Sequence, residues 1–406
     1  NSASRGFGVF GGSLIDLDLE RPRPTDEGRP VGGDGLAEIF PAFFLLGLEP
    51  SEVFVKADGS DGGPAIVTAR GKGSEFITMV KPLNELLLGP GFEFEIDYIL
   101  EPVRPDDPPQ AGRSLLVRAT ARNASDSVIP LAVDDFPLGF GLIVLMGAGQ
   151  PLFLPGDAGF DLRFALEKAY ANPPGLPGIA GVVSRAMVAS GDEVSYAITP
   201  EPSRNNFVWR NRDLYPDVTQ DSLVIPFVSG SMTGAFFHSP PRQLEPGQAT
   251  SFAARIFVGS GGVSTALDLA MESKGEPLGT FSTLVNEEGT GVPLAGATVS
   301  LHEVGSERVV NACRTLEDGR CHARLSPGRY RARVVAADRP VTEGDSFELT
   351  KDQTVHQALS AARFARLAAT VVDADGRPIP AKISIVGRYG EEHAGKRSEA
   401  FLSDLK

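Results

Sequence analysis

The chain has 406 residues, with 38 Lys and Arg against 52 Asp and Glu, for a net charge of −14. That acid surplus argues against nucleic acid or an anionic membrane surface as a partner, since both require a basic face, and no run approaches the roughly eighteen apolar residues of a membrane-spanning helix. The length exceeds one ordinary core, and 46 Gly with 32 Pro favour many short strands joined by turns.

The first segment, "GFGVFGGSLIDLDLE" (6–20), places Gly6, Gly8 and Gly11 in a G-x-G-x-x-G pattern, with Asp34 downstream. A dinucleotide site needs a strand before the glycines and a helix starting at them, so that the pyrophosphate meets a helix N-terminus. Here Ile15, Leu17 and Leu19 alternate with Asp16, Asp18 and Glu20, which is a strand with one buried face. The glycines are read as the turn that launches it.

Alternation recurs in "SEVFVKAD", "GPAIVTARG", "EFITMVKPL", "FEFEIDYILEP", "SLLVRATARNAS", "DEVSYAITPE", "SLVIPFVSG" and "SFAARIFVG". Pro/Gly clusters at 58–63, 104–112 and 172–178 separate these runs. Helix signals are scarce; the best is "STALDLAMESKG", with Ser264 as N-cap and Gly275 as C-cap. Asn123-Ala124-Ser125 is a glycosylation sequon by pattern, read as a turn between strands.

The last third changes texture. Cys321, Ala323 and Leu325 alternate with His322 and Arg324, and Tyr330, Ala332 and Val334 with Arg331 and Arg333. We read these as two strands of one small sheet, and Asp318-Gly319 as a hairpin turn. Cys313 and Cys321 then flank one hairpin at inward positions, where a diagonal disulfide and two buried thiols are both open. Two cysteines in a turn-rich sandwich fit an exported protein. The opening phrase "GVPLAGATVSL" returns as "GRPIPAKISI" within 369–387, an internal repeat.

"GVPLAGATVSL", "TLEDGRC" and "LSPGRYRARV" resemble the carboxypeptidase regulatory-like modules, small prealbumin- or immunoglobulin-type sandwiches. Leu316 and Cys321 stand where that family has Asp and an aromatic, and we take both as packing positions. Further upstream, "GGSLIDLDL", "DGLAEIFPAFFLL", "FEFEIDYILEP", "LLVRATARNASDSVIPLAVDDFPLGFG" and "LEPGQATSFAARIFVGSG" are similar, in order, to the region ahead of the metal site in secreted PHP-domain metallohydrolases of the carbaryl-hydrolase (CehA/McbA-like) branch. That resemblance implies an all-β chain: a galactose mutarotase-like supersandwich at 1–275, a regulatory-like sandwich at 276–361, and at 362–406 the start of a further segment. It also implies that the catalytic domain and its divalent metal follow residue 406. The five histidines, His238, His302, His322, His356 and His393, show no H-x-H pair. No catalytic or metal residue is therefore assigned, and no cofactor.

Other motifs are weak. "GSMTG" at 230–234 is not a nucleophile elbow, and "DADG" at 373–376 starts like a calcium loop without its length or terminal Glu. Ligand recognition is best supported at "NNFVWRNRDLYPD", where Trp209 has Arg210, Arg212, Asp213 and Tyr215 close by, with Asp134 and Asp135 as further lining. An aromatic face beside bidentate donors suits a sugar or carboxylate. The alternatives are thus a non-catalytic accessory region of an exported bacterial hydrolase, placed in the periplasm, at the cell surface or outside the cell, and a standalone carbohydrate- or cell-wall-binding protein. A third is a supersandwich enzyme with an unrecognised carboxylate pair.

Overall fold

The computed structural model describes residues 8–10, 13–15, 36–43, 46–47, 51–72, 91–102, 114–130, 132–133, 136–137, 140–146, 152–156, 159–160, 182–190, 195–201, 223–225, 228–229, 232–236, 243–337, 339–363 and 370–379. They form an all-β sandwich protein with one short helix. The chain divides into two compact units, Asn1–Arg363 and Phe364–Lys406.

The first unit contains an eight-stranded antiparallel sheet. Its strands are β1 (Glu52–Asp58), β2 (Ala65–Lys72), β3 (Phe92–Leu100), β4 (Ser114–Asn123), β5 (Leu152–Phe153), β6 (Met187–Ser190), β7 (Ser195–Pro200) and β8 (Ala249–Gly259), in the order β5-β6-β7-β8-β4-β3-β2-β1. The alternation read from the sequence decides its faces. Phe92, Phe94, Ile96 and Tyr98 of β3 share one face with Ala119 and Ala121 of β4 and with Phe252, Ala254 and Ile256 of β8, and all are buried. The opposite face is polar at one end, where Asp97 accepts from Thr68 Oγ1 (2.7 Å), Lys56 Nζ (3.4 Å) and Arg118. Burial works to raise the Asp97 carboxyl, but Arg118, Thr68 and Lys56 together hold it below the ordinary range.

A second sheet of the same unit joins Gly8–Phe10, Ser13–Ile15, Leu36–Phe43, Phe140–Met146, Met232–Phe236, Leu223–Ile225 and Val182–Ser184 in that spatial order. Gly8–Phe10 pairs antiparallel with Ser13–Ile15, so Gly8 lies in a strand, while Gly6 and Gly11 lie outside the described residues. Asn123 closes β4: its Nδ2 donates to Ser127 O and Leu244 O, and its Oδ1 accepts from the Ser125 amide. With no exposed surface and its amide nitrogen engaged twice, the sequon serves as a turn clamp.

The single helix among the described residues, α1 (Val263–Ser273), follows β8. Its N-cap is Gly262 rather than the expected Ser264, which lies buried inside the helix. Gly275, just beyond the last turn, has a φ of 66°, the left-handed geometry expected of a helix-terminating glycine.

A seven-stranded module comes next: β9 (Gly279–Glu287), β10 (Thr298–Glu303), β11 (Val309–Arg314), β12 (Arg320–Leu325), β13 (Gly328–Val335), β14 (Thr342–Leu349) and β15 (Thr354–Ala361). Sheet β12-β9-β15 faces sheet β11-β10-β13-β14 across a core of Phe281, Val285, Val299, Leu301, Ala323, Leu325, Tyr330, Ala332, Val334 and Leu349. Three expectations are corrected here. Asp318-Gly319 makes no hairpin, because β11 and β12 belong to different sheets, and β12 and β13 are likewise separated. The turn carries the chain around a corner, where a Cβ on Gly319 would stand 2.6 Å from the Val285 carbonyl oxygen. Leu316 is no packing residue either; it is 69% exposed. The buried member of its motif is Thr315, whose Oγ1 donates to Leu294 O (2.6 Å) and accepts from the Ala297 amide (2.9 Å).

In the second unit, Val372 bridges Pro378 and the Ile379 amide donates to Val371 O (3.1 Å). The first unit opens its module the same way, with Asn286 bridging Pro293 and the Leu294 amide donating to Val285 O (2.9 Å). The sequence repeat is therefore also a repeat of backbone hydrogen bonding. Asp373 Oδ1 accepts from the Asp375 and Arg377 amides, which makes "DADG" a side-chain-closed turn.

Candidate functional site

Trp209, Arg210, Arg212, Asp213, Tyr215, Asp134 and Asp135 lie outside the described residues, as do His238 and His393. The most elaborated arrangement among the described residues is the joint where the large sheet, α1 and the module meet.

The joint is built from a helix that is buried on most of its surface. Val263, Ala266, Leu267, Leu269 and Ala270 are buried, the pattern of a helix packed on two sides. One side covers Phe153, Val188, Ala197 and Phe257 of the large sheet, and the other meets Ala312 of β11. Thr265 Oγ1 donates to Gly261 O (2.7 Å) and bonds Ser195 Oγ (2.9 Å), which stands in for the missing side-chain cap by fixing the first turn to β7.

Asp268 sits in this seam. Its Oδ1 accepts from Asn311 Nδ2 (2.8 Å) and its Oδ2 from the Arg324 amide (3.0 Å). Asn311, fully buried, also donates to Arg324 O (3.0 Å) and accepts from the Ala312 amide (2.8 Å). One turn further along α1, Glu272 pairs with the Arg324 guanidinium at 2.8 Å. Burial pushes the Asp268 carboxyl up to about 8, against the pull of Asn311 and the Arg324 amide; Glu272 adds repulsion and the Arg324 charge opposes it.

A second contact fastens the same bodies. Gly156 and Val309 exchange backbone hydrogen bonds of 2.8 and 2.9 Å, a β-bridge from the large domain to β11. Gly159, at φ 54°, lies so close that a Cβ there would stand 2.8 Å from Val309 Cγ2. Phe160 meets Phe153 edge-to-face at 4.9 Å.

The module carries two further features. Cys313 of β11 and Cys321 of β12 are bonded, so the disulfide crosses from one sheet to the other at the corner. His302 lies within β10 and is buried. Its Nδ1 is 3.2 Å from Arg333 Nη1, and its Nε2 is 2.9 Å from Ser300 Oγ. Nδ1 also lies 3.4 Å from the Glu307 carbonyl oxygen, so the ring stands between the Arg333 guanidinium and that carbonyl on one side and the Ser300 hydroxyl on the other. Burial, then Arg333, holds His302 below its ordinary pKa, while Arg333 itself is shared by Glu307 (2.6 Å) and Glu343 (2.8 Å).

Among the described residues, no group of three or more His, Cys, Asp and Glu side chains is placed to hold a metal ion, and no helix is long and apolar enough to cross a membrane. Sequence reasoning missed Asp268, Asn311 and Arg324. The available signal was an Asp within the apolar stripe of "ALDLAM", where a surface helix would carry none.

No family model matches the chain, and no curated protein matches it. Among solved structures, it is similar to the Slr1438 protein from Synechocystis sp. PCC 6803 at 13% identity over 52% of this chain and 65% of that one, with a TM-score of 0.26. The 5-hydroxyisourate hydrolase of Klebsiella pneumoniae matches at 23% identity over 21% of this chain and 89% of its own, with a TM-score of 0.17. For the 3-chlorocatechol 1,2-dioxygenase of Rhodococcus opacus 1CP the values are 9% identity, 22% of this chain and a TM-score of 0.18. The chain spans 61% of that dioxygenase's length.

Proposed function

We propose that this chain is a non-catalytic accessory and scaffolding region of an exported bacterial metal-dependent hydrolase, with the catalytic PHP domain and its divalent metal following residue 406. The observation that supports this most is the joint. A helix buried on two sides, an Asp268–Asn311–Arg324–Glu272 polar seam and the Gly156–Val309 bridge couple the large domain to the module at three separate points. A flexible tether would need none of these contacts, whereas a part that holds another domain at fixed distance needs them all. The Cys313–Cys321 disulfide suits an oxidising compartment.

The test has two steps. The reading frame beyond residue 406 is expected to encode an H-x-H pair and further His and Asp ligands. The longer protein should hydrolyse ester or carbamate model substrates in a metal-dependent way, while residues 1–406 alone show no turnover. A stop codon at that point, together with glycan-array binding that disappears in Trp209→Ala, would overturn the reading in favour of a standalone carbohydrate-binding protein.

A further inference from the structure

His322 and His356 are 34 positions apart in sequence, yet the module's topology puts them in one row. Ser282 of β9 is the register partner of His322 on antiparallel β12, and also of His356 on parallel β15. The alternation along each strand shows which way this row faces. Phe281 and Thr283 are buried on one side of Ser282, Cys321 and Ala323 flank His322 in the core, and both histidines are exposed. The row His322–Ser282–His356 therefore crosses the full width of the three-stranded sheet on its outer face.

The two backbones are separated by two inter-strand spacings, about 10 Å. Side chains of histidine's length can bring their ring nitrogens to one ion across that separation, and the residue between them, Ser282, carries only a small hydroxyl. We propose that His322 and His356 form an open binding site for one borderline divalent cation, Cu2+ or Zn2+, held between their ring nitrogens above Ser282. Imidazole suits both metals, and two protein ligands leave the remaining coordination positions to water or to an incoming donor. The flanking cations do not oppose a dication freely: Arg320 lies 3.7 Å from Asp318, and Arg324 is paired with Glu272. The chain's net charge of −14 favours a cation at long range. The site is independent of the joint and of any downstream metal.

The experiment titrates the 406-residue chain with Zn2+ and with Cu2+ by calorimetry, and records the electron paramagnetic resonance of the Cu2+ form. One metal per chain, with two nitrogen donors in the Cu2+ spectrum, is expected. His322→Asn and His356→Asn should each weaken binding at least about tenfold, the low end of what even an outer-shell change costs. Both substitutions sit on an exposed face, and unchanged circular dichroism and melting would establish that the fold is intact. Ser282→Leu keeps both imidazoles but fills the space between them, and it should weaken binding as the histidine variants do. Two weak equivalent sites untouched by Ser282→Leu, or affinity unchanged in the His322→Asn/His356→Asn double variant, would overturn the proposal.

Discussion

At the residue scale, Asp268 shows what a buried carboxylate does to a protein's acid–base behaviour. Unfolded, an Asp releases its proton near pH 4; in the seam, burial holds it until about 8. Between those two values the folded chain carries the extra proton. Stability from this group is therefore fullest below about pH 4 and declines as pH rises toward 8, with a slope approaching ~1.4 kcal/mol per pH unit in mid-range. Asp268→Asn removes the titration while keeping a side chain that can accept one of the two N–H groups. Its melting temperature is expected to vary less between pH 5 and pH 8 than the parent's, and parallel melting curves for the two proteins across that range would refute the assignment. Thr315 makes the complementary point. It is silent electrostatically, yet its hydroxyl serves the Ala297 amide and the Leu294 carbonyl together. Thr315→Val, close in shape, strands both groups in a buried corner and should cost about 1–3 kcal/mol in chemical denaturation. Thr315→Ser should recover most of that.

At the scale of elements, much of the strand pattern was legible, because a half-buried strand writes its two faces into alternate residues. "FEFEIDYILEP" and "SFAARIFVG" became β3 and β8 with the expected parity. Partnership was not legible in the same way. An Asp-Gly turn has the same backbone needs whether it folds a strand back on its neighbour or sends it to the facing sheet, so 318–319 read as a hairpin and proved to be a corner. The cap of α1 failed for a related reason. Ser264 is a good N-cap by type, but Gly261 and Gly262, at φ 95° and 73°, start the helix earlier, and Thr265 reaches back to the carbonyl of Gly261. The alignment of His322 and His356 in one row left no local trace, since it depends on β9 and β15 pairing in parallel across most of the module's length. The sequence reading of Trp209 and its neighbours concerns residues outside those described, and it stands as an expectation for ligand binding.

For the whole molecule, the question is whether the large domain and the module melt as one body. The three-point joint predicts that they do. Residues 1–406 should show a single main calorimetric transition for the first unit, with the module's amide protons protected to the same free energy as those of β8. Leu267→Glu places an unpaired charge among Phe153, Val188, Phe257 and Ala312 and should split that transition in two, leaving the module's own core intact. Two transitions in the parent protein would show instead that the joint is loose, and would weaken the scaffolding proposal with it.

The parallel pairing of β9 with β15 has a mechanical consequence. Thr280 lies beside Thr354 and Glu287 beside Ala361, so the chain comes in at one pole of the module and leaves at the other, about 25 Å away. Tension applied through the polypeptide would load that whole ladder in shear, with many hydrogen bonds strained at once instead of parting one after another. Arg339 adds a fastening at the outlet, donating to the Ala362 carbonyl and pairing with Glu287 at 3.0 Å. A unit wired this way is expected to resist a pull along the chain, as a tie rod does.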